Sequence, residues 1–263
     1  GSTTTPIKFV LPGVSADASC DFYVVINRNI ADNITTKAKL LEELESDIAS
    51  YNGTYANVTT KAMRSGGFAM TGTVTAKIVS GTTAVTVTVK RVVAKVEIQT
   101  SMTDSFRTKY GNGCVEVKKI TLSRGAEKSY LIDQTASKYA TVSSSFTSAQ
   151  DAYCDKTGAS KTNAYKYNNL FYINEKAAAA TGSRIKVVLD AIYDADGNLS
   201  TTADQVPLSY ETELTGTTDG KMLRNGSYKL NVNLDGLTGK DMTLSIAIAN
   251  WEALSTQNVN VGK

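Results

Sequence analysis

Between Val85 and Ile98 the apolar residues keep a period of two but change phase partway along. Val85, Val87 and Val89 alternate with Thr86, Thr88 and Lys90, whereas Val92, Ala94, Val96 and Ile98 alternate with Lys95 and Glu97. Successive side chains of a strand point to opposite faces, so a one-residue slip moves the apolar set to the other side of its sheet. One flat strand cannot bury both sets together. The chain must bulge, bend or cross between sheets near Lys90 to Val93. A boundary is placed there, between an N-terminal β-rich unit, 1–89, and a C-terminal β-sandwich unit, 90–263.

Other segments alternate without a slip. Tyr228, Leu230, Val232 and Leu234 oppose Lys229, Asn231 and Asn233, and Met242, Leu244, Ile246 and Ile248 oppose Thr243, Ser245 and Ala247. One buried and one wet face per strand is the pattern of an antiparallel sheet or sandwich. Further strands are expected at 7–11, 22–26, 68–78, 115–122, 130–132, 170–173, 185–193 and 206–210. One amphipathic helix is expected at about 36–50, capped by Thr35 or Thr36 and ending near Tyr51-Asn52-Gly53. Leu40, Leu41, Leu44 and Ile48 form its apolar face, and Glu42, Glu43, Glu45 and Asp47 its solvated one. The alanine run of Glu175 to Ala180 lacks an amphipathic pattern and is read as a loop or a single turn. The fold class is mostly β, in two sandwich-like lobes with one short helix.

Composition removes several functions. The chain has no histidine, which excludes Ser-His-Asp and Cys-His catalysis and any zinc site built on imidazole. Its 28 basic and 25 acidic residues form no basic block, so nothing supports a nucleic-acid surface. No apolar run is long enough for a membrane-crossing helix. Cys20, Cys114 and Cys154 have no CxxC spacing and an odd count, and are read as small buried apolar residues. Cys154, in a polar stretch, is the candidate for exposure. The opening Gly1-Ser2 reads as a processed or trimmed start.

Few segments suggest chemistry. Asp194-Ala195-Asp196-Gly197-Asn198 begins like a calcium loop, but the sixth-position glycine and twelfth-position glutamate are missing, and it is read as a hairpin turn. Asn52-Gly53-Thr54 and Asn225-Gly226-Ser227 meet the N-x-S/T spacing and are read as turns. Tyr153, Tyr165, Tyr167 and Tyr172 would suit stacking on sugars if exposed, or half-buried strand faces otherwise. No catalytic residue, metal site or cofactor is expected.

A set of motifs then falls in order along the chain. They are Phe22-Tyr23-Val24-Val25-Ile26-Asn27, Ala69-Met70-Thr71-Gly72, Lys90-Arg91-Val92-Val93-Ala94-Lys95-Val96, Phe171-Tyr172-Ile173-Asn174-Glu175, Leu223-Arg224-Asn225-Gly226-Ser227-Tyr228-Lys229-Leu230 and Asn250-Trp251. Together they resemble the type V (Bacteroides-type) fimbrillins. Arg91, Ala94, Arg224, Asn225, Tyr228 and Trp251 hold the positions that match most closely. The resemblance implies two transthyretin-like β-sandwich domains and a structural, non-enzymatic pilus (fimbria) subunit. It implies export as a lipoprotein precursor to the outer membrane of a Gram-negative bacterium, with a lipid anchor outside this chain. It also implies polymerisation by donor-strand exchange, in which a strand from a neighbouring pilin, self or accessory, fills a groove left by proteolysis. The donor candidate is Thr256, Gln257, Asn258, Val259, Asn260, Val261, Gly262 and Lys263, where Val259 and Val261 alternate with polar residues. An ordinary last edge strand is the other reading. The family's precursor strand and processing arginine would precede Ile7 and have no counterpart here; Arg28 is not assigned that role. The alternative function is a surface adhesin or carbohydrate-binding β-sandwich module, with host or bacterial surface ligands.

Overall fold

The computed structural model describes residues 17–46, 48–52, 67–77, 85–134, 139, 145–151, 154–155, 166–217, 219–238, 242–250 and 257–261. The strand expected at 7–11 and Trp251 lie outside these residues. Chain order runs β1 (Ser19–Ile26), α1 (Lys37–Glu42), β2 (Leu44–Glu45), α2 (Ile48–Tyr51), β3 (Met70–Lys77), β4 (Lys90–Arg91) and β5 (Val93–Met102). It continues with α3 (Asp104–Tyr110), β6 (Cys114–Ala126), β7 (Ser129–Tyr130), β8 (Ser145–Asp151), β9 (Cys154–Asp155) and β10 (Lys166–Asn174). The last strands are β11 (Lys186–Asp194), β12 (Gln205–Glu213), β13 (Gly226–Leu234), β14 (Met242–Asn250) and β15 (Gln257–Val261). No helix among the described residues is long and apolar enough to cross a membrane.

The protein is mostly β and its main body is a sandwich. A six-stranded sheet, in the order β15-β14-β13-β5-β10-β9, faces a four-stranded sheet, β12-β11-β6-β8. Ala94, Val96 and Ile98 of β5, Phe171 and Ile173 of β10, and Tyr228, Leu230, Val232 and Leu234 of β13 meet Val115, Val117, Ile120, Leu122, Val187 and Leu189 in one core. None of these side chains is more than 3% exposed. Burial of each large aliphatic side chain contributes roughly 1.5–3 kcal/mol before the ordering entropy is counted. The alternation read in 228–234 is therefore realised, and the ladder aligns Leu230 with Ile246 and Val232 with Leu244.

The phase change at 85–98 marks a crossing between sheets. β4 pairs with β3 in a three-stranded sheet, β1-β3-β4, while β5 lies in the six-stranded sheet between β13 and β10. Val85, Val87 and Val89 are half-buried, and after Arg91 the buried set becomes Val92, Ala94, Val96 and Ile98. Ahead of the crossing the chain runs close to β3. A Cβ on Gly72 would lie 2.2 Å from the Thr88 carbonyl oxygen, so only glycine fits there. Val93 faces the other way and joins Ile48, Tyr51, Leu170 and Tyr172 in a second cluster, which covers the outer face of the sheet. Phe68 closes it, with ring centroids 5.1 Å from Tyr51 and 4.7 Å from Tyr172.

The helix expected at about 36–50 is interrupted. Thr36 caps α1 by accepting from the Lys39 N–H at 3.3 Å, but Glu43 turns extended with φ −65° and ψ 136°. Leu44 and Glu45 then pair with Tyr130 and Ser129, and the Leu131 N–H donates to the Glu43 carbonyl at 2.8 Å. Tertiary pairing overrides local propensity here. The helix resumes only as α2, which ends at Tyr51 as expected. The reading of Glu42, Glu43 and Glu45 as one solvated face is corrected with it. Glu45 is fully buried, and Arg28 reaches Glu43 at 3.5 Å and Glu45 at 3.6 Å. A helix not foreseen, α3, follows β5. The Thr103 hydroxyl accepts from the Phe106 N–H at 3.1 Å, Phe106 is fully buried, and Gly111 ends the helix at φ +60°.

Candidate functional site

Five scattered motif residues meet at the crossing. As the chain changes sheets, its backbone groups lose their ladder partners and need replacements. Asn225 supplies them from a left-handed conformation, φ +55°. Its Oδ1 accepts from the Arg91 N–H at 3.3 Å and from Arg91 Nη1 at 3.4 Å, and its own N–H donates to the Val93 carbonyl at 3.0 Å. Ala94 sits fully buried one residue further along. The Tyr228 hydroxyl, also buried, accepts from the Leu223 N–H at 2.7 Å.

Arg224 locks the joint from beneath. Its Nε donates to Glu175 Oε2 at 3.0 Å and its Nη2 to Glu175 Oε1 at 2.5 Å, a bidentate pair. Nη1 donates to the Leu131 carbonyl at 3.1 Å, and Nη2 also lies 2.7 Å from the Tyr130 carbonyl and 3.3 Å from Ser129 Oγ. The side chains of Arg224 and Glu175 are only 5% and 10% exposed. With its donor fork occupied by the protein, this arginine holds β7, the end of β10 and the start of β13 together. The described motif positions make an architectural joint.

Among the described residues the two edges of the six-stranded sheet are bordered differently. On one side, among the described residues, the short β9 lies beyond β10, paired at Lys166 and Tyr167. Further along, the Asn52 amide takes the place of a strand: Oδ1 accepts from the Tyr172 N–H and Nδ2 donates to the Tyr172 carbonyl, both at 2.9 Å. On the other side the proposed donor residues Gln257, Asn258, Val259, Asn260 and Val261 form β15, antiparallel to β14, from Ile248↔Gln257 to Leu244↔Val261. Among the described residues no strand pairs with the far side of β15. Thr256, Gly262, Lys263 and Trp251 lie outside the described residues.

Other candidates resolve differently. Tyr172 is 2% exposed in the outer cluster, so it is withdrawn from any sugar, and burial pushes its phenol up to about 12. Tyr153, Tyr165 and the Tyr167 side chain lie outside the described residues. Cys114 is buried in the core and Cys20 is half-buried; the Cys154 side chain is not among those described. The Asp194–Asn198 turn joins β11 to β12, as a hairpin should, and brings Asp204 back beside Asp194 and Asp196. Asp204 was not singled out from sequence, and Asn52 and Glu175 were named only as a turn residue and a motif member, without these partners. Each acts on a partner distant in the chain or across a turn.

Among solved structures, a proposed cell adhesion protein from Bacteroides eggerthii matches 88% of this chain and 77% of its own, at 15% identity and a TM-score of 0.56. The chain has the fold of that protein. A second proposed cell adhesion protein, from Parabacteroides distasonis, matches 89% of this chain and 83% of its own, at 10% identity and a TM-score of 0.54. The tip fimbrial protein Mfa3 from Porphyromonas gingivalis, with a C-terminal truncation, gives 14% identity, coverage of 88% and 80%, and a TM-score of 0.47. No protein-family model matches the chain, and no curated protein matches it in sequence. The adhesion-protein fold agrees with the β-sandwich architecture implied by the type V fimbrillin resemblance.

Proposed function

We propose that this chain is a non-enzymatic structural subunit of a cell-surface fimbria. It would be delivered as a lipoprotein precursor to the outer membrane of a Gram-negative bacterium and built from two units, 1–89 and 90–263. The observation that carries the reading is the fold itself, shared over 88% of the chain with a proposed bacterial cell adhesion protein. The absence of histidine and the occupied donors of Arg224 support a scaffold over a catalyst.

Assembly would use Thr256 to Lys263 as a donor strand toward other pilin subunits, self or accessory. The geometry supports this through β15, a short edge strand whose described backbone partner is β14 alone. Replacing it by the same strand of a neighbour keeps the ladder bonds and their chemistry, so the exchange is close to neutral in contacts while linking two subunits. Immunogold microscopy of the source cells tests the reading. Label along filaments, or at their tips or bases, is expected. Label on bare surface with no filaments under any growth condition would replace it with an adhesive or glycan-binding surface module.

A further inference from the structure

We infer that the β11–β12 turn is a binding site for a hard divalent cation, calcium by preference, built from Asp194, Asp196 and Asp204. β11 ends at Asp194 and β12 begins opposite it at Gln205. The intervening turn folds back so that the three carboxylates offer oxygens within 4.8 Å of one another. Three negative charges at that spacing repel one another, and more strongly where water is excluded. Among the described residues no lysine or arginine forms an ion pair with any of them.

Turn chemistry accounts for only some of the oxygens. Asp204 Oδ2 accepts from the Ala195 and Asp196 N–H groups at 3.1 and 3.0 Å. Asp196 Oδ1 accepts from the Asn198 N–H at 2.7 Å, and Asp196 Oδ2 is 3.4 Å from the Thr201 hydroxyl. Asp194 Oδ2 accepts from Gln205 Nε2 at 3.0 Å. Asp194 Oδ1 accepts nothing, although the residue is fully buried. A hairpin does not require a buried carboxylate, and a buried carboxylate oxygen without a donor is costly unless a cation meets it.

The donors are all oxygens, which selects calcium, magnesium or manganese over ions that favour nitrogen or sulfur. An irregular turn of carboxylates suits the longer, flexible coordination of calcium better than the strict octahedron of magnesium. The turn is also seated. Gly197 has φ +75°, and a Cβ there would lie 2.5 Å from the Asn112 carbonyl oxygen, so the turn packs on the connection between α3 and β6. A bound ion would tie the ends of β11 and β12 together and fix that end of the sandwich.

The test is calorimetric titration of the EDTA-stripped chain with calcium chloride, and separately with magnesium chloride, alongside thermal melts. Saturable calcium binding is expected, with Kd about 10⁻⁴ to 10⁻³ M as in extracellular modules, and a rise in Tm. Asp196→Asn, at an exposed position, should keep the fold in EDTA and weaken calcium about tenfold. Asp194→Asn should abolish the calcium response and raise Tm in EDTA, because it removes an unneutralised buried charge. If that variant does not fold, Asp196→Asn carries the test. Absence of saturable heat and of any Tm shift would overturn the inference, as would an undiminished response in Asp196→Asn. Equal affinity for magnesium would overturn the preference for calcium.

Discussion

At one edge of the six-stranded sheet the backbone of Tyr172 is met by the Asn52 amide, with two bonds of 2.9 Å, and the N-terminal cluster of Ile48, Tyr51 and Phe68 packs over the same strand. At the opposite edge stands β15, five residues long and, among the described residues, laddered to β14 alone. An edge strand displays unpaired N–H and C=O groups and invites another chain, and folded proteins cover or blunt such edges. Here one edge is covered by the molecule's own N-terminal part and the other carries a terminal strand.

The comparison can be broken from its closed side. Arg224→Ala removes the clamp behind that edge and strands Glu175, so stability measured by urea unfolding should fall by about 3–5 kcal/mol. Asn52→Ala removes both of the amide's bonds to the Tyr172 backbone, for a loss of about 1–3 kcal/mol on the same measurement. Tyr172 gives a pH test of the same cluster. Its phenol pKa is raised from 10.0 to about 12 by burial, so the neutral form is the one the fold favours. That contribution is complete below pH 10 and should be lost as pH rises toward 12, on the order of 2 kcal/mol in alkaline melts. The open side should matter least to folding. A chain lacking Thr256 to Lys263 should lose only about 1 kcal/mol, since edge elements open locally at little cost, and should no longer polymerise.

Much of the architecture was legible because apolar phase is a local signal. The slip between Val89 and Val92 called for a bulge, a bend or a crossing, and the chain there passes from the three-stranded to the six-stranded sheet. A second slip, from Val117 to Ile120 in β6, has a different outcome: both sides stay paired with β11, and the register shifts opposite Asp190 and Ala191. Phase alone does not distinguish a crossing from a bulge, because the partner strands decide. The break at Glu43 was illegible for the same reason. Leu44 and Glu45 satisfy a helical pattern and leave it to pair with residues about 85 positions away. α3 had its signals in Thr103, Asp104 and Gly111, but only Phe106 is buried on it, too little periodicity to stand out between strands. At the joint, Arg224 and Asn225 could be picked out by resemblance. Glu175, 49 residues before Arg224, could be placed against it only by the fold.

The most direct test of the account asks where the last strand pairs in assembled material. The ladder aligns Ser245 of β14 with Asn260 of β15. Subunits carrying Ser245→Cys and subunits carrying Asn260→Cys, with Cys20 and Cys154 changed to serine, should be mixed during assembly, oxidised and run on a non-reducing gel. Donor-strand exchange predicts covalent dimers joining one chain of each kind. Filaments that assemble without such dimers, while a chain carrying both substitutions closes its own disulfide, would show that β15 stays at home and would contradict the account.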